Sequence, residues 1–383
     1  MTFEFKTPTT IISKLGCSTT AETFANLKLT GNVLFVTDAT LIKLGIATKV
    51  ISALETAGLN VFVFDQVEPE PKVATVRKAI AQTKTQKIDT VVGLGGGSPM
   101  DIAKIIALML ASPQPVESLY GVGNVQGDRL PLLLIPTTAG TGSEVTPVAV
   151  VTSDNGEKSP IVDPKLICDT VLLDAELTLG LPPRITAATG VDAMVHAMEA
   201  YTSGVRKNIV SDDLGLKAFK LLYENIETAV HSGRDIEARS KMLLGSMMAG
   251  LAFANATVGA VHALSYPLGA SFKLPHGESN ALVMIPVMRF NEAKAHPLYA
   301  DLCRAVHPEA LQMSAADAST YLLDKIEAMI PTLGLDTRLA DYNIGAEHLD
   351  TLTDGTLFQA RLLSYNYTQM EHEDIYQVFK AIL

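Results

Sequence analysis

Three histidines in the second half of the chain lie in unusually apolar surroundings. His262 and His276 delimit the stretch HALSYPLGASFKLPH, whose one charged residue is Lys273. His196 lies in the helix-forming segment TAATGVDAMVHAMEAYTS, four residues after Asp192, so these two side chains share one helix face. A carboxylate and three imidazoles are costly to bury alone, whereas Fe²⁺ or Zn²⁺ would satisfy them with one oxygen and three neutral nitrogens. The competing interpretation is that Asp192 and His196 form an ordinary core salt bridge.

Tyr266 follows His262 by four residues, which is about one turn of an α-helix. If residues 255–266 form one continuous helix, the phenol points toward the same cavity as the cation, and Tyr266 becomes the candidate catalytic residue. Two roles are open: proton donation to the reacting oxygen, or packing and orientation. An unperturbed phenol has a pKa of about 10, and a metal ion can by itself make a bound alcohol acidic. We therefore favour packing and orientation.

A glycine cluster in the first half has the form of an anion-binding loop. The segment VVGLGGGSPMDIAK predicts a strand, a tight loop and then a helix. Backbone amides at a helix N-terminus bind phosphate when no side chains obstruct them, and residues 95–98 meet that condition. We expect Ser98 to cap the helix and Pro99 to take its first position. The motif is neither a Walker loop nor a G-x-G-x-x-G fingerprint, and the alternative is a tight turn that binds nothing.

Two further polar segments follow apolar runs. The loop TTAGTGSEVT comes after LPLLLIP, and Asp38 comes after NVLFVT. Open parallel sheets bind ligands at the carboxyl ends of their strands. A carboxylate at Asp38 would accept hydrogen bonds from a ribose diol and repel a 2′-phosphate, which favours NAD over NADP. Asp38 is an equally good N-cap for the segment that follows it, and an ordinary polar connection is an equally good interpretation of the loop.

The elements that must hold these residues change character near residue 182. Apolar or β-branched runs alternate with helical patterns at 72–84 and 100–111, and they predict strands at 32–37, 60–65, 89–95, 130–136 and 171–175. Residues 145–162 predict a hairpin turning at Asn155-Gly156. Beyond Pro182-Pro183 helical periodicity dominates. We therefore expect an α/β domain at 1–182, an all-helical domain at 183–383, and a ligand-binding cleft between them.

The composition excludes several function classes. The net charge is −11, the pI is about 5.2 and there is no basic run, so no nucleic-acid partner is expected. The three cysteines match no zinc or disulfide spacing, and the N-terminus lacks a signal-peptide pattern, which together indicate a cytoplasmic protein with reduced, buried thiols. The uncharged stretch from Met242 to Phe272 contains Asn255, His262 and Pro267, so we expect buried core helices and no membrane span.

Four separated motifs, in this order, resemble the iron-containing (group III) alcohol dehydrogenase family over essentially the whole chain. They are GGGSPMDIAK (95–104), PTTAGTGSEVT (136–146), LPPRITAATGVDAMVHAMEAYTS (181–203) and HALSYPLGASFKLPHGESNALVMIP (262–286). The resemblance implies a Rossmann-like N-terminal domain and an all-α C-terminal domain, as in dehydroquinate synthase. It also implies NAD and Fe²⁺ as cofactors, with Zn²⁺ as the alternative metal, and we expect a homodimer.

The resemblance also implies roles for individual residues. The metal ligands would be Asp192, His196, His262 and His276, and Asp38 would read the ribose. The remaining cofactor contacts would be the pyrophosphate loop Gly96, Gly97 and Ser98, with Asp101 behind it, the threonines Thr137, Thr138 and Thr141, and Lys158 near the nicotinamide ribose. Many members of the family carry a second histidine where this chain has Tyr266, which leaves the proton route open.

These observations predict a metal-dependent NAD(H) alcohol dehydrogenase or aldehyde reductase that acts on a small alcohol or carbonyl compound. The metal would polarise the substrate oxygen, and hydride would pass between the adjacent carbon and the nicotinamide. The alternative is an NAD- and metal-using lyase of the dehydroquinate synthase type. That chemistry requires a basic pocket for a substrate phosphate, and few lysines or arginines lie near the metal motifs.

Overall fold

The computed structural model describes residues 2–29 and 31–383. It divides into two compact units, an α/β unit of Lys6–Leu179 and a helical unit that contains Gly180–Leu383 and the described residues before Lys6. The division falls three residues before position 182, because the proline pair marks the start of a helix and the chain leaves the α/β unit slightly earlier.

The α/β unit is built on a six-stranded, wholly parallel sheet with the order β1-β9-β6-β4-β2-β3. Its strands are β1 (Thr10–Ser13), β2 (Asn32–Val36), β3 (Asn60–Phe64), β4 (Thr90–Gly95), β6 (Leu132–Pro136) and β9 (Thr170–Leu173). All five predicted strands are confirmed. The edge strand β1 gave no sequence signal, because only two of its four residues are apolar.

Helices and a second sheet complete the α/β unit. The helices are α1 (Ala21–Asn26), α2 (Ala39–Lys43), α3 (Ile46–Thr56), α4 (Val73–Gln82) and α5 (Gly97–Ala111). Buried side chains of the parallel sheet, including Phe35, Leu94 and Ile135, form one core cluster with Phe24 of α1 and Leu54 of α3. This core fixes the strand ends from which the polar loops emerge.

The predicted hairpin is confirmed as part of a three-stranded sheet with the order β5-β8-β7. The strands are β5 (Gly121–Val122), β7 (Val148–Thr152) and β8 (Lys158–Val162). Strands β7 and β8 are antiparallel, with Thr152 opposite Lys158. Gly156 turns the chain with φ +88°, a conformation that glycine adopts without strain.

The helical unit contains nine α-helices and no strand among its described residues. The helices are α6 (Pro183–Thr202), α7 (Ile209–His231), α8 (Ile236–Ala256), α9 (Ala260–Phe272), α10 (His276–Val306), α11 (Ala315–Thr332), α12 (Leu349–Leu357), α13 (Ala360–Leu363) and α14 (His372–Lys380). Helix α6 is buried along most of its length and packs against α7, α8 and α10. Its position at the centre of the unit explains why its polar residues require partners.

The uncharged stretch forms the end of α8 and all of α9, and it is mostly buried. The condition of one continuous helix over 255–266 is not met, because the helix is interrupted at 257–259, where Thr257 has φ +104°. Within the described residues no single helix is long and apolar enough to cross a membrane. The pair α8 and α9 would qualify together by length and composition alone, but it is bent by 105°.

Candidate metal and cofactor sites

Helix α6 presents three polar side chains on one buried face. Asp192, His196 and Glu199 follow one another at intervals of four and three residues, so each lies about one turn after the last. Each is less than one-tenth exposed. A helix otherwise lined with alanine, valine and methionine therefore carries two carboxylates and an imidazole into the core.

The other two predicted ligands come from the starts of neighbouring helices. His262 lies in the first turn of α9, and His276 is the first residue of α10. The start of α10 approaches α6 closely through Gly277, where an added Cβ would lie 2.3 Å from the carbonyl oxygen of Ala188. This contact requires a glycine, and it brings His276 to the face of α6 that carries Asp192.

All three imidazoles converge on one oxygen. The Nε2 atoms of His196, His262 and His276 lie 3.8, 3.8 and 3.6 Å from Oδ1 of Asp192. Four ligands arranged tetrahedrally about 2.1 Å from a cation are about 3.4 Å apart, so the spacing fits a divalent metal. The structure thus brings the four residues together, and the ligand atoms of Asp192, His196 and His262 all lie within 4.8 Å of one another.

The charges of the cluster favour metal binding. Burial alone would raise the pKa of Asp192, but the three imidazoles and the amide of Asn280 outweigh it, so the pKa is lowered and the carboxylate is ionised. Burial lowers the pKa of His196 to about 4, which keeps this imidazole neutral near pH 7. An ionised carboxylate and a neutral imidazole are the forms that bind metals. The pKa of His262 shifts the other way, because the effect of burial is outweighed by Glu199 and Asp192, which raise it.

Two partners of these ligands carried no recognised signal in the sequence. Glu199 accepts a hydrogen bond from Nδ1 of His262 at 2.6 Å. Asn280, one turn after His276, donates to Oδ1 of Asp192 at 2.7 Å, while its own Oδ1 is buried without a partner among the described residues. Helical spacing from a predicted ligand could have identified both residues. Glu199 lies three residues after His196, and Asn280 lies four residues after His276.

Aromatic rings cover two of the histidines. The ring of Tyr266 is stacked on His276, with 6.0 Å between centroids and 23° between planes. Phe253 is stacked on His196 at 4.4 Å and 22°. Although the helix is broken before Gly259, Tyr266 and His262 still share a face, because both lie within α9. The stacking supports the packing role that we favour for Tyr266.

The predicted cofactor residues of the α/β unit lie along one edge of the parallel sheet. Asp38, residues 96–98 and residues 137–141 follow strands β2, β4 and β6, respectively. These strands are neighbours in the order β6-β4-β2, and they run in the same direction. Their carboxyl ends therefore emerge side by side, at the edge where open sheets bind nucleotides.

The glycine loop has the geometry of an anion cradle. Added Cβ atoms at Gly96 and Gly97 would lie 3.5 Å from Oγ1 of Thr138 and 3.0 Å from Cγ2 of Thr141, so side chains here would fill the space over the helix end. Helix α5 begins at Gly97. The expectation that Ser98 caps the helix is therefore wrong, because α5 starts two residues earlier than the proline suggested, and Ser98 lies in its first turn. The backbone N–H groups in the first turn of α5 have no acceptor within the helix.

Asp38 caps helix α2, because its Oδ1 accepts a hydrogen bond from the backbone N–H of Leu41 at 3.0 Å. This is the alternative left open by the sequence. The cap engages one carboxylate oxygen, and the side chain is only half-buried. The capping role and the ribose-binding role are therefore compatible.

Asp101 and Thr137 support the loops from behind. Oδ1 of Asp101 accepts from the hydroxyl of Ser143 at 2.6 Å, and Oδ2 accepts from the backbone N–H of Val150 at 2.9 Å. The N–H of Thr137 donates to the carbonyl of Gly95 at 2.9 Å. Asp101 thus connects α5 to the loop after β6, which is consistent with a position behind the pyrophosphate loop.

Lys158 lies on the three-stranded sheet, opposite Thr152 at the turn end of the hairpin. Its Nζ forms an ion pair with Glu70 at 2.8 Å. This ion pair anchors the hairpin to the segment after β3. Among the contacts of the described residues, no hydrogen bond or ion pair joins Lys158 to the glycine loop. Lys158 is the predicted cofactor residue that the structure does not gather with the others.

Two family models cover most of the chain. The model described as iron-containing alcohol dehydrogenase matches residues 8–175, and that described as Fe-containing alcohol dehydrogenase family, C-terminal, matches residues 186–383. The protein belongs to the iron-containing alcohol dehydrogenase family. This confirms the resemblance seen in the sequence and makes the protein an oxidoreductase, so the lyase alternative is not retained.

Relatives extend the likeness over whole chains. Long-chain-alcohol dehydrogenase 1 of Geobacillus thermodenitrificans (strain NG80-2) is 37% identical to this iron-containing alcohol dehydrogenase over 353 residues, covering 91% of this chain and 89% of the relative. The solved structure of a 1,3-propanediol oxidoreductase is 30% identical with a TM-score of 0.95, and both chains are covered completely. A sulfoacetaldehyde reductase from Bifidobacterium kashiwanohense, solved with NAD+, is 28% identical with a TM-score of 0.89, covering 100% of this chain and 99% of that one. These likenesses confirm the expected Rossmann-like and all-α architecture of the dehydroquinate synthase type.

Proposed function

We propose that this protein is a metal-dependent NAD(H) alcohol dehydrogenase or aldehyde reductase whose metal is held by Asp192, His196, His262 and His276. The single observation that carries the proposal is the convergence of three imidazole Nε2 atoms on one oxygen of a buried, ionised carboxylate. One oxygen and three nitrogens suit Fe²⁺, the metal of the family name, and they suit Zn²⁺ equally well. When bound, such a metal supplies Lewis-acid polarisation of an alcohol or carbonyl oxygen.

The proposed substrate is a small alcohol or the corresponding aldehyde. Two of the relatives described above are named as a propanediol oxidoreductase and a sulfoacetaldehyde reductase, and these names support that substrate class. The Geobacillus relative is named for long-chain alcohols. Phe253 lies against His196 and would offer an apolar surface to a short carbon chain beside the metal. Tyr266 would hold the ring of His276 in place by stacking.

The proposed cofactor is NAD. The amides at residues 96–98 would bind the pyrophosphate at the positive end of α5, and Asp38 would accept hydrogen bonds from the ribose diol. Thr138 and Thr141 flank the glycine loop and would contact the cofactor, with Thr137 beside them. We also propose that Lys158 contributes near the nicotinamide ribose, which would require it to exchange its ion pair with Glu70 for the cofactor.

We further propose a cytoplasmic homodimer. The three cysteines of the chain are free and buried, which suits a reducing compartment. The net charge of −11 disfavours nucleic acid as a partner. Light scattering of the purified enzyme at several concentrations tests the dimer, and a mass equal to one chain would contradict it.

The experiment is a metal analysis combined with a cofactor assay over short alcohols, diols and hydroxy acids. The wild-type protein should contain one metal per chain and reduce NAD with at least one alcohol. His276→Ala should lose both metal and activity, because one of four ligands is gone. His296→Ala removes a histidine of the same helix and should change neither. Full metal occupancy in His276→Ala would reject the ligand set.

A further inference from the structure

Glu199 is a buried carboxylate that contacts two parts of the same helix start. Its Oε2 lies 2.6 Å from Nδ1 of His262, and its Oε1 accepts a hydrogen bond from the backbone N–H of Val261 at 2.7 Å. The residue is 7% exposed, and an added Cβ at Gly259 would lie 3.3 Å from Oε1, so the carboxylate is closely packed. Both of its oxygens are therefore committed to the first turn of α9.

Helix α9 lacks an N-cap side chain of its own. Its N-cap residue is Gly259, which makes no capping hydrogen bond, and the first-turn amides of a helix require acceptors. Glu199, reaching across from α6, accepts from Val261 in the first turn. A carboxylate also stabilises the positive end of the helix dipole. One side chain thus anchors the backbone that carries His262.

The same carboxylate determines the proton position on His262. A carboxylate accepts hydrogen bonds and cannot donate them when ionised, so Nδ1 of His262 must carry a proton. In the neutral ring Nε2 is then the unprotonated nitrogen, and it is Nε2 that lies 3.8 Å from Oδ1 of Asp192. A hydrogen bond of this kind fixes the tautomer and the ring orientation of metal-binding histidines in general.

We propose that Glu199 is a positioning residue of the metal site, which fixes His262 in the tautomer that presents Nε2 to the metal and anchors the first turn of α9. The proposal rests on the metal set put forward above. Glu199→Gln retains the size of the side chain but offers one acceptor for two donors. Its NH2 group would face either Nδ1–H of His262 or the N–H of Val261, and one of these hydrogen bonds is lost.

The test measures Zn²⁺ affinity by competition with a chelator, using the metal alone as the probe. Partners of this kind are worth roughly 10- to 100-fold in metal affinity, so Glu199→Gln should bind Zn²⁺ more weakly by that factor. Glu199→Asp retains the charge and should recover part of the loss. Glu292→Gln is the matched control, because it changes a helix carboxylate of the same unit that accepts hydrogen bonds from Ser319, Thr320 and Arg289. Its Zn²⁺ affinity should equal that of the wild type.

A second measurement uses the metal-free wild-type protein and needs a variant only to assign the resonances. With ¹⁵N-labelled histidine, the resonances absent from His262→Ala identify this ring. Although burial opposes it, Glu199 raises the pKa of His262, so the pH is increased until the ring is neutral. The neutral ring should then report a protonated Nδ1 and an unprotonated Nε2. The opposite tautomer would overturn the proposal, as would a Glu199→Gln affinity within about threefold of wild type. Retention of Zn²⁺ by His196→Ala would instead show that the metal set itself is wrong.

Discussion

Asp38 has two roles that one substitution can separate. Its carboxylate caps α2 through the N–H of Leu41, and the proposed function assigns it the ribose. Asparagine caps helices about as well as aspartate, so Asp38→Asn should preserve the cap while removing the charge. We expect the free energy of unfolding to change by less than about 0.5 kcal/mol and the preference for NAD over NADP to fall.

The size of the effect follows from Coulomb's law. Two unit charges about 4 Å apart interact by about 4 kcal/mol at an effective dielectric constant of 20. Asp38 is half-exposed, and screening reduces the repulsion of a 2′-phosphate to on the order of 2–3 kcal/mol, or roughly 30- to 150-fold in cofactor preference. The wild-type enzyme should prefer NAD by about this factor, and Asp38→Asn should lose most of it.

The assay is kcat/KM with NAD and with NADP for both proteins, accompanied by urea unfolding. Asp38→Ala should lose about 1 kcal/mol of stability through the missing cap. Asp235→Ala removes the corresponding cap of α8 in the helical unit, so it should lose similar stability without changing the cofactor ratio. An unchanged NAD-to-NADP ratio in Asp38→Asn would reduce Asp38 to a helix cap and refute the reasoning.

Three further predictions concern other features. Tyr266→Phe retains the ring stacked on His276 and should lose less than about tenfold in kcat; a loss above roughly 10³ with metal content unchanged would instead assign the proton to the hydroxyl. Gly277→Ala should cost about 1–3 kcal/mol of stability and weaken Zn²⁺ binding, because its Cβ would meet a backbone oxygen of α6 at 2.3 Å. In the control Gly269→Ala the nearest atom to the added Cβ is 3.5 Å away, so both stability and Zn²⁺ binding should be unchanged. Burial raises the pKa of Glu144 from 4.5 to about 7, so the native state binds this proton more tightly than the unfolded state does. The free energy of unfolding should therefore fall by up to roughly 3 kcal/mol as the pH rises between these two values. Glu144→Gln should remove this pH dependence, as measured by urea unfolding, and an unaltered slope against pH would contradict the assignment.

Local patterns in the sequence were sufficient for most of the secondary structure and for the identity of the candidate ligands. Alternating strands and helices predicted five of the six strands of the parallel sheet, including the three that carry the polar loops, since periodicity is a property of neighbouring residues. The i, i+4 spacing of Asp192 and His196 placed both on one face of α6. The cost of burying His262 and His276 without a partner indicated a cation. These inferences depend on residue type and spacing alone.

Only the tertiary structure decided how distant segments meet. Glu199 and Asn280 contact ligands 63 and 88 residues away along the chain, and no local pattern encodes such a pairing. The break before α9 depends on the positive φ of Thr257. Threonine rarely adopts this conformation, so its presence in the sequence does not predict the break. The loops of the α/β unit lie together because β2, β4 and β6 are neighbours in the sheet, and strand order is set by long-range packing. The chemical type of each candidate residue can be read from its own segment of the sequence. The distances between these residues depend on contacts between segments that only folding brings together.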